Sequence, residues 1–183
     1  MRICPRIAPL ELPYAPDVQT AFDVVMRGAP PLMLFRTVGR NPRVLQRMMA
    51  GGLLDRGSVS IRHRELTILR TTARCGAEYE WGVHVAAFAA QAPWTSDERH
   101  ASVHGDATAA CWSDEDRLVI RLADALHQHH DVDDALWAEL AAAFAEEQLI
   151  ELIMLAGLYH AVSYLVNGLR IPLEDGASRF PSG

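Results

Sequence analysis

Eighteen consecutive residues, Leu152 to Leu169, contain no Asp, Glu, Lys or Arg. A segment of that length and composition is a helix that must be covered, by lipid or by the rest of the protein. His160, Ser163, Tyr164 and Asn167 fall on one face of it, and no other stretch reads as a membrane segment. The segment is therefore predicted to be a core helix around which the remaining chain packs. At 183 residues, half of them hydrophobic, the chain can bury such a helix as one unit without disulfides or structural metal.

Start signals divide the remainder into helices. Asp17 is predicted to cap a helix over 18–27. Asn41 followed by Pro42 opens one that runs to about Leu54, and Gly57 marks a break. Ser60 caps 61–74, and Cys75-Gly76-Ala77 interrupts the pattern before a helix over 78–91 that stops ahead of Pro93. Thr95 to Glu98 spells a capping box for a short helix to about His104. Ser113 to Asp116 opens another to about His130, Asp133 caps 134–144, and the last helix fills 146–169. No convincing strand alternation occurs. The expectation is an all-α bundle of seven or eight helices. Residues 1–40 form an N-terminal arm and first helix, 41–175 the main domain and 176–183 a C-terminal tail.

Composition removes several kinds of chemistry. All 17 basic residues are arginine, which excludes a P-loop lysine and a Schiff-base lysine. A net charge of −6 argues against a general nucleic-acid binder. The three cysteines, Cys4, Cys75 and Cys111, form neither a CxxC pair nor a disulfide framework. The proline-bearing N-terminus has no long apolar stretch of the kind a signal peptide needs, so a cytoplasmic location is expected.

Polar groups intrude on three apolar faces. On the helix over 61–74, Ile61, Ile68, Leu69 and Thr72 share one face and His63, Thr67, Arg70 and Arg74 the opposite one, yet Glu65 stands in the middle of the apolar face. A buried carboxylate is costly, so it has either a role or an arginine partner. Between Trp81 and Ser96 there is no formal charge. Tyr79, Val83, Ala86 and Ala90 form one apolar strip of that helix and Trp81, Val85 and Phe88 another, with Glu80, His84 and Gln91 running between them. Glu80 and His84 are spaced i, i+4, so their side chains can meet. The plain alternative is a Glu–His pair that merely satisfies the core, and His160 can likewise be a hydrogen-bonded core histidine.

Residues 61–90, IRHRELTILRTTARCGAEYEWGVHVAAFAA, resemble the carboxymuconolactone decarboxylase family, which includes the AhpD-like alkylhydroperoxidases. The resemblance rests on Arg62-His-Arg64-Glu65-Leu66, then Glu78-Tyr79-Glu80-Trp81, then His84, and extends more loosely through 113–170. It implies the family's helical fold and a homo-oligomer: dimer, trimer or hexamer. AhpD-like peroxidases carry C-x-x-C just before the histidine; the matching positions here are Ala77 and Glu80. The dithiol peroxidase cycle needs both sulfurs and is not expected.

What the resemblance implies instead is a Glu/Glu/His proton-transfer site acting on a small cyclic or unsaturated organic acid, by decarboxylation or a related reaction. His84 is the expected general acid/base, oriented by Glu80, with Glu65 as a second acid or base. Arg64 or Arg62 is expected to hold a substrate carboxylate. His160 and Asn167 line the pocket, and Tyr79 and Trp81 wall it. No organic cofactor, functional metal, nucleic-acid partner or membrane partner is expected.

Three rival readings stand beside this one. A one-cysteine peroxidase would use Cys75, its thiol activated at a helix N-terminus. A metal would use His127, His129 and His130 beside Asp131, Asp133 and Asp134, or the His100/His104 pair. A non-catalytic relative would bind a small acid or a partner with the same polar strips.

Overall fold

The computed structural model describes residues 4–183, and among these the regular structure is entirely helical. Nine helices follow in order: α1 Pro16–Met26, α2 Met33–Val38, α3 Pro42–Ala50, α4 Ile61–Arg74, α5 Glu78–Ala87, α6 Ser96–His104, α7 Asp114–His129, α8 Asp134–Ala143 and α9 Glu146–Leu169. The all-α expectation holds, with one helix more than expected.

The capping signals explain most boundaries. Asn41, Ser60, Thr95, Ser113 and Asp133 each accept a backbone N–H of the first turn that follows. Glu98 and Asp116 complete reciprocal boxes at α6 and α7. Three boundaries differ from expectation. At α1 the cap position is Ala15 with Pro16 in the first turn, and Asp17 lies inside the helix. The helix expected to reach Leu54 stops at Ala50, before Gly51-Gly52. The helix α5 ends at Ala87 rather than 91, which leaves Gln91 exposed and off the helix.

The extra helix, α2, has a cap that is not local. Met33 N donates to Glu174 Oε1 at 2.5 Å, and Leu34 N donates to the Tyr79 hydroxyl at 3.0 Å. Tyr79 in turn donates to Glu174 at 2.5 Å. Groups more than forty positions away in sequence thus satisfy the two orphan N–H groups, and Leu32 at the cap position contributes no side chain.

The centre of the bundle is α4, packed against α5, α6, α7 and α9. The sequence reading of α4 as two-faced needs correction, because Thr67 and Arg70 on its polar face are also buried. Arg70 donates to Asp124 on α7 through Nε and Nη2, both at 2.7 Å, and to the carbonyls of Ser102 and Gly105 at 3.1 and 3.0 Å. A fork with this many acceptors is how a guanidinium becomes tolerable in a core.

From its uncharged stretch α9 contributes Leu152, Leu155, Ala156, Tyr159, Val162 and Val166 to the core, while Ile150, Met154 and Tyr164 face outward. By length and composition it is also the one helix among the described residues that can cross a membrane. The N-terminal arm closes its far end: Arg6 donates to the carbonyls of Leu169 and Gly168. The C-terminal tail docks on α5 through Glu78 with Arg179 and the Phe180 N–H and through Trp81 against the Phe180 ring, and on α6 through His104 with the Pro181 carbonyl.

Candidate active site

The turn from α4 to α5 brings Glu65 and His84 together. Gly76 adopts φ +64°. Its N–H donates to the Ala73 carbonyl at 2.9 Å, and the Ala77 N–H reaches the Thr72 carbonyl at 2.8 Å. This pair of bonds is a Schellman closure, which needs a left-handed residue and so favours glycine. The chain reverses tightly, and α5 returns along the Glu65 face of α4.

Four side chains then form an alternating row of charge. Arg64 Nε donates to Glu65 Oε1 at 2.9 Å, and Nη2 lies equally close. Glu65 Oε2 accepts from His84 Nδ1 at 2.7 Å. His84 Nε2 faces Glu80 Oε1 at 3.5 Å. Glu65 is 0 % exposed, His84 3 %, and Glu80 and Arg64 6 % each. Phe88 stacks on the His84 ring, centroids 5.3 Å apart, and Tyr159 meets it edge-on at 5.0 Å. Arg64 lies over the Phe88 ring, 4.8 Å from its centroid, and donates to the Leu54 carbonyl at 2.9 Å. Glu80 Oε2 is buried without a hydrogen-bond partner.

Electrostatics favour the imidazolium. Burial opposes a charge on His84, but hydrogen bonds to Glu65 and Glu80 and the negative charge of both outweigh it, raising its pKa to about 9. With Arg64 and His84 positive and Glu65 and Glu80 negative, the row is neutral; with a neutral imidazole it would carry a buried net charge. Burial, with the two carboxylates adding to it, pushes the Tyr159 phenol well above its ordinary range, so it stays protonated. One imidazolium N–H is therefore committed to a short bond, and the other is loosely held beside a carboxylate with an open oxygen.

The expected binding residues do not all gather here. Arg64 does, with its fork already engaged by Glu65. Arg62 does not: it binds Asp116 at 2.8 Å and Glu98 at 2.6 Å, tying α4 to the caps of α6 and α7. Trp81 donates to Ser102 Oγ at 3.1 Å beneath the tail, away from His84. Tyr79 and Asn167 line a separate cleft of about 850 Å³, together with Val166, Arg170 and Leu173. That cleft is not lined by Glu65, Glu80 or His84. His160 points to His127. The residues that sequence reasoning did not assign to this site are Phe88 and Tyr159, which cover the imidazole. Phe88 stood on an apolar strip of its helix in the sequence, whereas Tyr159, on α9, had no such signal pointing to His84.

Two rival arrangements also change. Cys75 caps the C-terminal end of α4 rather than a helix N-terminus, and burial pushes its thiol up. In the histidine run, His129 and His130 are exposed, Asp133 caps α8 and Asp131 accepts the Val132 N–H. His104 Nε2 bonds to the Pro181 carbonyl at 2.7 Å.

Several solved structures share this architecture. An AhpD-core, peroxidase-related protein from Ralstonia eutropha JMP134 superposes with a TM-score of 0.82 at 17% identity, over 96% of this chain and 95% of that one. A peroxidase-related protein from Silicibacter sp. TM1040 gives 0.73 at 14% identity, over 97% and 96%. The chain has the AhpD-like fold. The debrominase Bmp8, as a cysteine-to-alanine variant bound to 2,3,4-tribromopyrrole, shares it at a TM-score of 0.72 and 16% identity, over 95% of this chain and 94% of that one. No protein-family model and no curated protein matches the sequence. At these identities the likeness concerns the AhpD-like fold, and the chemistry rests on the side chains of this chain.

Proposed function

We propose that this protein is an enzyme that moves a proton to or from a small cyclic or unsaturated organic acid, with His84 as general acid/base. The observation that carries the reading is the row Arg64–Glu65–His84–Glu80, sealed from water and ending on the unpartnered Glu80 Oε2. Glu65 fixes the ring and its tautomer. The N–H that His84 can give up is at Nε2, where the contact with Glu80 is long. Glu80 is placed to hold that proton between steps. Decarboxylation fits, since the carbanion equivalent left by CO₂ loss needs a positioned acid and a positive site for its charge. No arginine fork stands free at the site, so the imidazolium itself supplies that charge. Substrate reaches it by displacing Phe88, which stacks on the imidazole. The fold supports an enzyme, being shared with a debrominase and with peroxidase-related proteins. Self-association to a homo-oligomer remains part of the proposal.

The test is turnover in deuterated buffer on a panel of small unsaturated acids that begins with 4-carboxymuconolactone, read by CO₂ release and by deuterium incorporation at carbon. The expected result is incorporation by the wild type that His84→Ala abolishes. Incorporation that persists in His84→Ala, or none by the wild type across the panel, contradicts the reading.

A further inference from the structure

A second cluster lies away from this row and shares no side chain with it. Cys75 at the end of α4, His127 in the last turn of α7 and His160 midway along α9 converge, and one ligand atom from each lies within 4.8 Å of the others. His127 Nδ1 is 3.0 Å from His160 Nε2, and Cys75 Sγ is 3.8 Å from His127 Nδ1. We propose that Cys75 Sγ, His127 Nδ1 and His160 Nε2 bind a divalent transition metal of the zinc class, leaving a fourth position open.

The spacing carries the proposal. A tetrahedral ion with ordinary zinc–nitrogen and zinc–sulfur bonds separates two nitrogens by about 3.3 Å and nitrogen from sulfur by about 3.6 Å. The two shorter separations depart from these by only a few tenths of an ångström, and with the third pair, Cys75 and His160, within 4.8 Å, side-chain rotations admit the ion. Thiolate with imidazole is also the donor set that selects zinc-class ions over magnesium or calcium.

The surroundings hold the ligands as a metal site does. His160 Nδ1 donates to the Ala156 carbonyl at 3.2 Å, which leaves the Nε2 lone pair aimed into the cluster, toward His127 Nδ1. Asn167 Nδ2 donates to the Cys75 carbonyl at 2.8 Å and fixes the backbone that carries the thiol. The nearby Arg74 is balanced by Asp124, 3.1 Å away. All three ligands are half-buried, so an ion can enter and a small molecule can occupy the fourth position.

Binding balances simply. The thiol proton leaves to solvent as the thiolate coordinates, and the His127 proton shifts from Nδ1 to Nε2. No electron is transferred. The site does not depend on the His84 reading, and either can fail alone.

The test uses full-length, untagged protein stripped of metal, titrated with Co²⁺ and then with Zn²⁺ against a competing chelator. The expected result is one equivalent bound, with a thiolate-to-cobalt charge-transfer band that Zn²⁺ displaces. Cys75→Ser removes the band. His127→Gln and His160→Gln each weaken binding at least tenfold, whereas His129→Gln and His84→Gln leave it unchanged. A wild type with no charge-transfer band, or a band that survives Cys75→Ser, overturns the proposal. So does undiminished binding in both His127→Gln and His160→Gln. Circular dichroism melts of the metal-free variants separate lost binding from lost fold, and if Cys75→Ser does not fold, the two histidine variants decide.

Discussion

The two histidine sites are served by the same three-dimensional frame yet are opposite in kind. Glu65 and Cys75 lie on one helix, ten positions and about 15 Å apart. Tyr159 and His160 are neighbours on α9, and the first covers His84 while the second meets His127. At the Glu65 end four charged side chains alternate in sign and are closed to water. At the Cys75 end a thiol and two imidazoles stand half-open, with no carboxylate bonded to any of them. Burial explains the difference. A sealed site survives only if its charges cancel, and the cancellation holds an imidazole in its acid form. A half-open site can keep a thiol and two hydrogen-bonded imidazoles side by side until a cation takes them.

The largest expected effect is on turnover. His84→Ala lowers the rate on a true substrate by roughly 10²–10⁴, the usual worth of a positioned acid/base. His100→Ala, on exposed α6, leaves the rate within twofold. Steady-state kinetics checks both, and equal rates for the two variants break the comparison.

Stability gives the next contrast. Glu65→Leu strands Arg64 and His84 with uncancelled charge and costs about 3–5 kcal/mol. His160→Gln disturbs two hydrogen bonds, to His127 and to the Ala156 carbonyl, at a half-buried site and costs about 1–2 kcal/mol. Denaturant unfolding of the two variants at pH 7 sharpens or removes the distinction.

A third expectation follows from protonation. The pKa of His84 is raised in the folded state to about 9 from an ordinary 6.5, so its contribution is complete below 6.5 and lost as pH rises through 9. Unfolding free energy then falls by roughly 3 kcal/mol between pH 6.5 and 9.5. His84→Asn flattens this slope, whatever it does to absolute stability. The smallest effect concerns the frame itself: Ser60→Ala removes the α4 cap and costs about 1 kcal/mol in a thermal melt.

These contrasts also show what was legible before any coordinates. Helices opened by a local cap, such as α3, α4 and α6, could be read from Asn41, Ser60 and Thr95. The α2 helix could not, because its cap is built from Tyr79 and Glu174. The Glu80–His84 contact was legible from i, i+4 spacing. The tighter Glu65–His84 bond spans nineteen positions and depends on the Schellman turn at Gly76. Arg62 was expected at the substrate because nothing in the chain showed that Glu98 and Asp116, as cap acids, would also converge on it. The cysteine–histidine cluster joins residues 52 and 33 positions apart, and only the packing of α4, α7 and α9 brings them together.

The central claim is that a buried, charge-balanced row keeps His84 protonated at neutral pH. The direct measurement is the ¹⁵N NMR titration of its imidazole in the wild type and in Glu80→Gln. The account predicts both ring nitrogens protonated at pH 7, with titration well above 6.5 and shifted downward in Glu80→Gln. A neutral ring at pH 7, titrating at or below 6.5, would contradict it.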